Sequence, residues 1–128
     1  MNEQMRMLRA FHEKFGHVIG DNPGFRGSDL RANLIEEEAR ETVTAIRNGD
    51  MVEAIDGMCD LLYVVLGTAV SFGIDIEKYF AEVHRTNMLK SGGMTRADGK
   101  TLKPPGWRAP RISDMLAADN RYPPELPW

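Results

Sequence analysis

Two stretches of helical pattern, residues 28–47 and 51–72, are separated only by Asn48-Gly49-Asp50. This break limits the fold more than any other feature, because two helices joined by so short a turn pack antiparallel. Asn48-Gly49 is a stop signal for the first helix and Asp50 a side-chain cap for the second, which Gly73 ends. Upstream, Met5, Leu8, Phe11, Phe15 and Val18 recur at helical spacing and predict a helix over about residues 3–17. The turn-rich GDNPGFRGS follows, with Ser28 or Asp29 as the next cap. Downstream, Asp75 caps a fourth predicted helix from Ile76 to about Lys90, before Ser91-Gly92-Gly93. No useful length alternates with a period of two, so strands are not expected.

The expected fold is all-α: an antiparallel helical bundle of about four helices in a single domain over 1–128, with its core at 3–92. Beyond it, residues 93–128 form a Gly/Pro-rich loop and tail. One short helix is expected near Arg111 to Ala118, and RYPPELPW is expected to pack only through Tyr122 and Trp128.

A chain of 128 residues with 42% hydrophobic and 27% charged content suits one globular core. Its net charge is -3 and its basic residues are scattered, so the footprint of a polymeric nucleic-acid binder is missing. The single cysteine, Cys59, makes no internal disulfide, and the charged MNEQMRMLRA lacks a secretory apolar run; a cytoplasmic location is the expectation. Leu61 to Phe72 is apolar but interrupted by Gly67, Thr68 and Ser71. It reads as part of a core helix, and no membrane partner is expected.

The stretch LIEEEARE carries the chemistry. At roughly 100° per residue, Glu37, Glu38 and Glu41 fall on the same side as Leu30, Leu34 and Ala45, whereas Glu36, Arg40 and Arg47 fall on the other. A solvated face explains Glu36 and struggles with the other three, since an ionised carboxylate out of water needs a partner. In the next helix Glu53, Asp56 and Asp60 share a strip with Gly57, Val64, Gly67 and Ser71. The short turn brings the two acidic strips face to face with no lysine or arginine in either. A divalent cation is the simplest counter-charge, and oxygen ligands favour Mg²⁺ or Mn²⁺ over zinc. A di-iron bundle is not expected, because no Glu-x-x-His pair is present.

On the fourth helix Ile76, Phe80, Val83 and Asn87 share a line, with Tyr79 and Lys90 at its edge. Asn87 and Lys90 are therefore expected to project inward. An amide and an ammonium beside an acidic metal site suit a polyphosphate. Arg96, Lys100 and Lys103 in the following loop can close over the same phosphates. Each of these residues also has a plainer reading: Lys90 as a cation at a helix C-terminus, the loop as solvated surface, Trp107 as a pin holding the loop to the bundle. His12 and His84 read as packed and hydrogen-bonded, and Cys59 as a small buried residue.

Glu37-Glu38-x-x-Glu41, then Glu53-x-x-Asp56-x-x-x-Asp60 and LLYV, resemble the all-α nucleotide pyrophosphohydrolases, the superfamily of MazG-like proteins, dimeric dUTPases and phosphoribosyl-ATP pyrophosphohydrolases. EVHRTNMLK and DGKTLKPPGW resemble its shorter MazG-like branch. The likeness covers about residues 3 to 110. It implies that Glu37, Glu38, Glu41 and Asp60 hold Mg²⁺, that Asn87 and Lys90 hold phosphates, and that Phe11, His12 and Phe15 border a base pocket. One departure stands out: many relatives carry E-x-x-D before the apolar run, and aligning that Asp on Asp60 puts Gly57 at the Glu position. Either Asp56 takes over the ligand role or the site holds fewer metals.

The expected function is a Mg²⁺-dependent nucleoside triphosphate pyrophosphohydrolase, with Glu38 and Glu41 catalytic and dUTP or non-standard nucleotides among its candidate substrates. The alternatives are a non-catalytic helical cation-binding module and a phosphoribosyl-ATP-type pyrophosphohydrolase. Four helices of this length expose more apolar surface than one subunit covers, so a homodimer is expected.

Overall fold

A computed structural model describes residues 2–121; the expected packing of Tyr122 and Trp128 lies outside them. The protein is all-α, with α1 (Asn2–Phe15), α2 (Ser28–Arg47), α3 (Met51–Ser71), α4 (Ile76–Asn87) and α5 (Ile112–Arg121). It divides into two compact units, one holding α1 to α3 and the other running from Ile76 through α5.

In the first unit α2 and α3 form the antiparallel pair that the short turn dictates, and α1 packs on α3. Asp50 caps α3 by accepting the Glu53 N–H at 3.2 Å. α2 instead begins after Gly27, which sits in the left-handed region with no side-chain cap. The expected caps Ser28 and Asp29 lie inside the helix because Gly27 already turns the chain into it. Gly57, Gly67 and Ser71 of α3 are buried on the predicted side, and Ala54, Leu66, Ala69 and Val70 are buried on other sides of the helix. α3 is also, among the described residues, the one helix long and apolar enough by composition to cross a bilayer. Its far side leaves Val52, Ile55, Met58 and Leu62 exposed. Cys59 shares that uncovered side and is exposed, a correction to its buried reading.

Helix-terminal carbonyls need partners, and the segment between α1 and α2 supplies them to α3. Gly20 and Gly24 donate their backbone N–H to the carbonyls of Val70 and Phe72, each at 3.0 Å. The Val18 carbonyl accepts from Ser71 Oγ at 2.9 Å and bonds His12 Nδ1 at 2.9 Å. Composition alone reads this stretch as turns; its backbone bonds tie it to the end of α3.

In the second unit the inner side of α4 is Tyr79 and Thr86, not the expected Ile76–Phe80–Asn87 line: Phe80 is 56% exposed and Asn87 is exposed. The reason lies within the unit. Tyr79 Oη and Lys78 Nζ both donate to Asp119 of α5, the former at 2.5 Å, and Trp107 Nε1 donates to the Thr86 carbonyl at 2.6 Å. Glu82 accepts from Arg85 Nε at 2.6 Å and from the Arg111 backbone N–H at 2.7 Å. These bonds hold its carboxyl down at about 2. Between α4 and α5 the chain makes a small hairpin, with an antiparallel bridge from Thr95 to Thr101. Asp98-Gly99 lies at its tip, a turn pair favoured in such hairpins.

Candidate functional site

Of the acidic residues on α2, Glu36 lies on the solvated side, 3.8 Å from Arg40. Glu38 points the other way, toward α3. Its Oε2 is buried with no hydrogen-bond partner among the described residues. Burial first, then the charges of Glu41, Asp60 and Glu37, and then a hydrogen-bond contact with Glu41 raise its pKa above the ordinary carboxylate value. The three charges acting on Glu38 are therefore three of the residues expected to share its site.

Glu38 and Asp60 are half-buried, whereas Glu37, Glu41, Glu53 and Asp56 are exposed. Glu37, Glu41 and Glu53 line a groove of about 470 Å³ where α2 meets the start of α3. Asp56 is not among the charges acting on Glu38. Among the described residues, no three Asp, Glu, His or Cys side chains are already gathered closely enough to coordinate an ion.

Gly57, where the resemblance asks for a glutamate, sits against Thr42 of α2. A Cβ there would lie 2.6 Å from Thr42 Oγ1 and 3.1 Å from Thr42 Cα. Thr42 is buried, and its hydroxyl donates to the Glu38 carbonyl at 2.6 Å. The missing ligand is therefore a packing position in this chain.

The donor set fits a hard divalent cation. An orphaned carboxylate oxygen, three further carboxylates acting on it and all-oxygen chemistry suit Mg²⁺ or Mn²⁺.

Sequence reading missed Arg31. It is 6% exposed, donating from Nε to Thr68 Oγ1 and from Nη2 to the Val64 carbonyl, each at 3.0 Å. Among the described residues it has no carboxylate partner. The signal was available, since Arg31 lies two turns before Glu38 on nearly the same side of α2.

The expected base-pocket residues lie together but differ in burial. Phe11 and Phe15 are exposed and in contact, ring centroids 4.8 Å apart, and Phe11 also stacks on His17 and meets the Tyr63 ring edge-on. His12 is 2% exposed, and burial is the main cause lowering its pKa. Its Nδ1 is bonded to the Val18 carbonyl at 2.9 Å, and its ring centroid lies 6.4 Å from that of Phe11. His84, expected to be packed, is exposed.

In the second unit Asn87 is the last residue of α4, so Lys90 lies just beyond the helix, not in its last turn. Lys90 and Lys103 stand over the Trp107 ring, at 5.3 and 5.1 Å from its centroid. Arg96 is bound by both oxygens of Asp98, at 2.8 and 2.6 Å, which occupies the guanidinium expected to meet phosphate.

Residues 8–87 match the family model for phosphoribosyl-ATP pyrophosphohydrolase. The chain belongs to that family. The phosphoribosyl-ATP pyrophosphohydrolase family is a member of the all-α nucleoside triphosphate pyrophosphohydrolase superfamily, and membership supports a pyrophosphohydrolase-type function in general. The match includes every acidic candidate and Asn87 but stops before Lys90, Arg96 and Lys103. Over 76 residues, 52% of this chain, the protein is 34% identical to uncharacterized protein L479 of Acanthamoeba polyphaga mimivirus, of which the match covers 30%.

Proposed function

We propose that the protein is a Mg²⁺-dependent pyrophosphohydrolase of nucleoside triphosphates, cleaving the α–β anhydride to give a nucleoside monophosphate and pyrophosphate. The observation carrying this reading is the Glu38 carboxylate, half-buried and facing three other carboxylates on the family's matched segment. Glu37, Glu38, Glu41 and Asp60 would hold the cation, with Asp56 as the candidate in place of the ligand lost at Gly57. Bound Mg²⁺ supplies positive charge to offset that of the polyphosphate. Glu38, the half-buried carboxylate that Glu37, Glu41 and Asp60 surround, would accept the proton of the attacking water on an oxygen that the cation leaves free. Glu41, in contact with it, keeps it oriented. Overall, water and the nucleoside triphosphate yield the monophosphate, pyrophosphate and a proton.

The test is pyrophosphate release from a panel of (d)NTPs, dUTP and modified nucleotides included, with and without Mg²⁺. Release from at least one nucleotide that stops with EDTA is expected. A purified, folded protein that releases none would refute the reading. The family's own description favours a second substrate, phosphoribosyl-ATP, and the same panel includes it. Mg²⁺ binding in a calorimeter with no nucleotide effect would point instead to a non-catalytic cation-binding module.

The proposed protein acts as a homodimer in the cytoplasm. Met51, Ile55, Met58, Leu62 and Val65 recur every three or four residues along α3 and are 37 to 69% exposed, a stripe suited to packing on a second helix. Light scattering is expected to give twice the 14.4 kDa of one chain. A folded monomer at micromolar concentration would remove the idea.

A further inference from the structure

We propose that His12 is an acid-sensitive latch that holds α1 on α3 when neutral and releases the helix when protonated. The proposal is independent of the reaction above. Its starting point is a set of bonds just beyond the end of α1. His12 Nδ1 and Ser71 Oγ both donate to the Val18 carbonyl, each at 2.9 Å, and the His17 backbone N–H donates to the His12 carbonyl at 2.9 Å. His12 and Ser71 are each 2% exposed. One carbonyl of the following segment thus clips a ring of α1 to the last residue of α3.

A carbonyl only accepts, so Nδ1 carries the ring proton and the neutral ring keeps a lone pair at Nε2. That nitrogen comes up to Gly67 of α3, as does Arg31 of α2: a Cβ at Gly67 would lie 3.1 Å from His12 Nε2 and 2.7 Å from Arg31 Nη2. The missing side chain is what admits both. A lone pair is tolerated near a guanidinium, whereas a second ring proton adds a buried positive charge where one already stands. Among the described residues, the charges acting on His12 are Arg31 and, from the segment after α1, His17, whose ring centroid is 5.3 Å away. α3 offers Gly67 there and α1 itself Leu8, neither charged, and no carboxylate acts on the ring. The Val18 bond favours the charged ring, but burial outweighs it and the pKa falls below the ordinary histidine value. The unfolded or released ring therefore takes up a proton that the docked ring resists, and docking weakens as pH drops through and below the ordinary histidine range. α2 and α3 remain joined by their own turn and by the bonds of Arg31 to Thr68 and Val64, so α1 is the element that leaves. Its release parts Phe11 from Tyr63 of α3, whose rings meet edge-on at 5.4 Å between centroids. The aromatic patch shared by α1 and α3 is thus a structure of neutral pH.

The experiment is native-state amide hydrogen exchange on the full chain from about pH 8 to about pH 5, expressed as protection so that the intrinsic pH dependence of exchange drops out. Protection of α1 should fall about tenfold across that range relative to α2 and α3. His12→Asn keeps an amide donor for Val18 and has nothing to titrate, so its α1 protection should stay level. His17→Asn should retain the fall. Should His12→Asn fail to fold, NMR titration of the His12 ring in the parent decides: a midpoint below the ordinary histidine value that coincides with the loss of α1 protection supports the latch, and a midpoint apart from that loss overturns it. Level α1 protection in the parent, or a fall that survives His12→Asn or disappears in His17→Asn, overturns it as well.

Discussion

A Glu38→Gln protein is expected to lose turnover by about 10²- to 10⁴-fold and yet to unfold at a higher temperature than the parent in EDTA at pH 8. Both effects follow from one carboxyl group. Its folded-state pKa is raised, by burial first and then by Glu41, Asp60 and Glu37. Above that pKa the folded chain carries an ionised group that the unfolded chain ionises more readily, so the charge lowers stability. Below the ordinary carboxylate range both states hold the proton, and the gain from glutamine should vanish. Mg²⁺ should therefore stabilise the parent more than the variant, and Glu41→Gln should also lose turnover. Thermal unfolding with and without Mg²⁺, beside a pyrophosphate-release assay, reads all of this. Full activity in Glu38→Gln, or equal stabilisation by Mg²⁺, would remove the carboxyl from its assigned role.

The second large effect is expected at Gly57. Alanine raises helix propensity by about 1 kcal/mol, but its Cβ falls against the backbone and hydroxyl of Thr42. Overpacking of this kind costs about 1–3 kcal/mol, and the net loss of about 0–2 kcal/mol should lower Tm by a few degrees, up to roughly 10 °C. Gly57→Glu, which supplies the acid that the resemblance implies at this position, should be less stable still and no more active. A stable and faster Gly57→Glu protein would show that the helices can part there and that the missing ligand matters.

The helical hairpin was legible because its signals are local: a helical period on both sides of Asn48-Gly49-Asp50, and a cap that Asp50 makes. The sorting of Glu36 from Glu37, Glu38 and Glu41 was equally legible, since a helical wheel needs no partner to be drawn. How deeply each would be covered was not, because α2 and α3 shelter Glu38 and Asp60 and leave Glu37 and Glu41 at the rim. α4 was misread by one position. Its inner side is set by Asp119 and Trp107, residues far along the chain that no local pattern anticipates. The Asp98-Gly99 turn was a missed local signal. Arg31 was missed because a buried cation without a carboxylate is rare enough to be taken for surface.

Two contacts fix how α2 slides along α3: the closeness of Gly57 to Thr42, and the grip of Arg31 on Val64 and Thr68. Moving one helix by a single residue would break both, so the register of the pair is pinned at two separated points. The carboxylates thus hang from a scaffold already set, and a cation bound as proposed would have only their side-chain torsions to order. Binding to such a preorganised site should leave the backbone where it is.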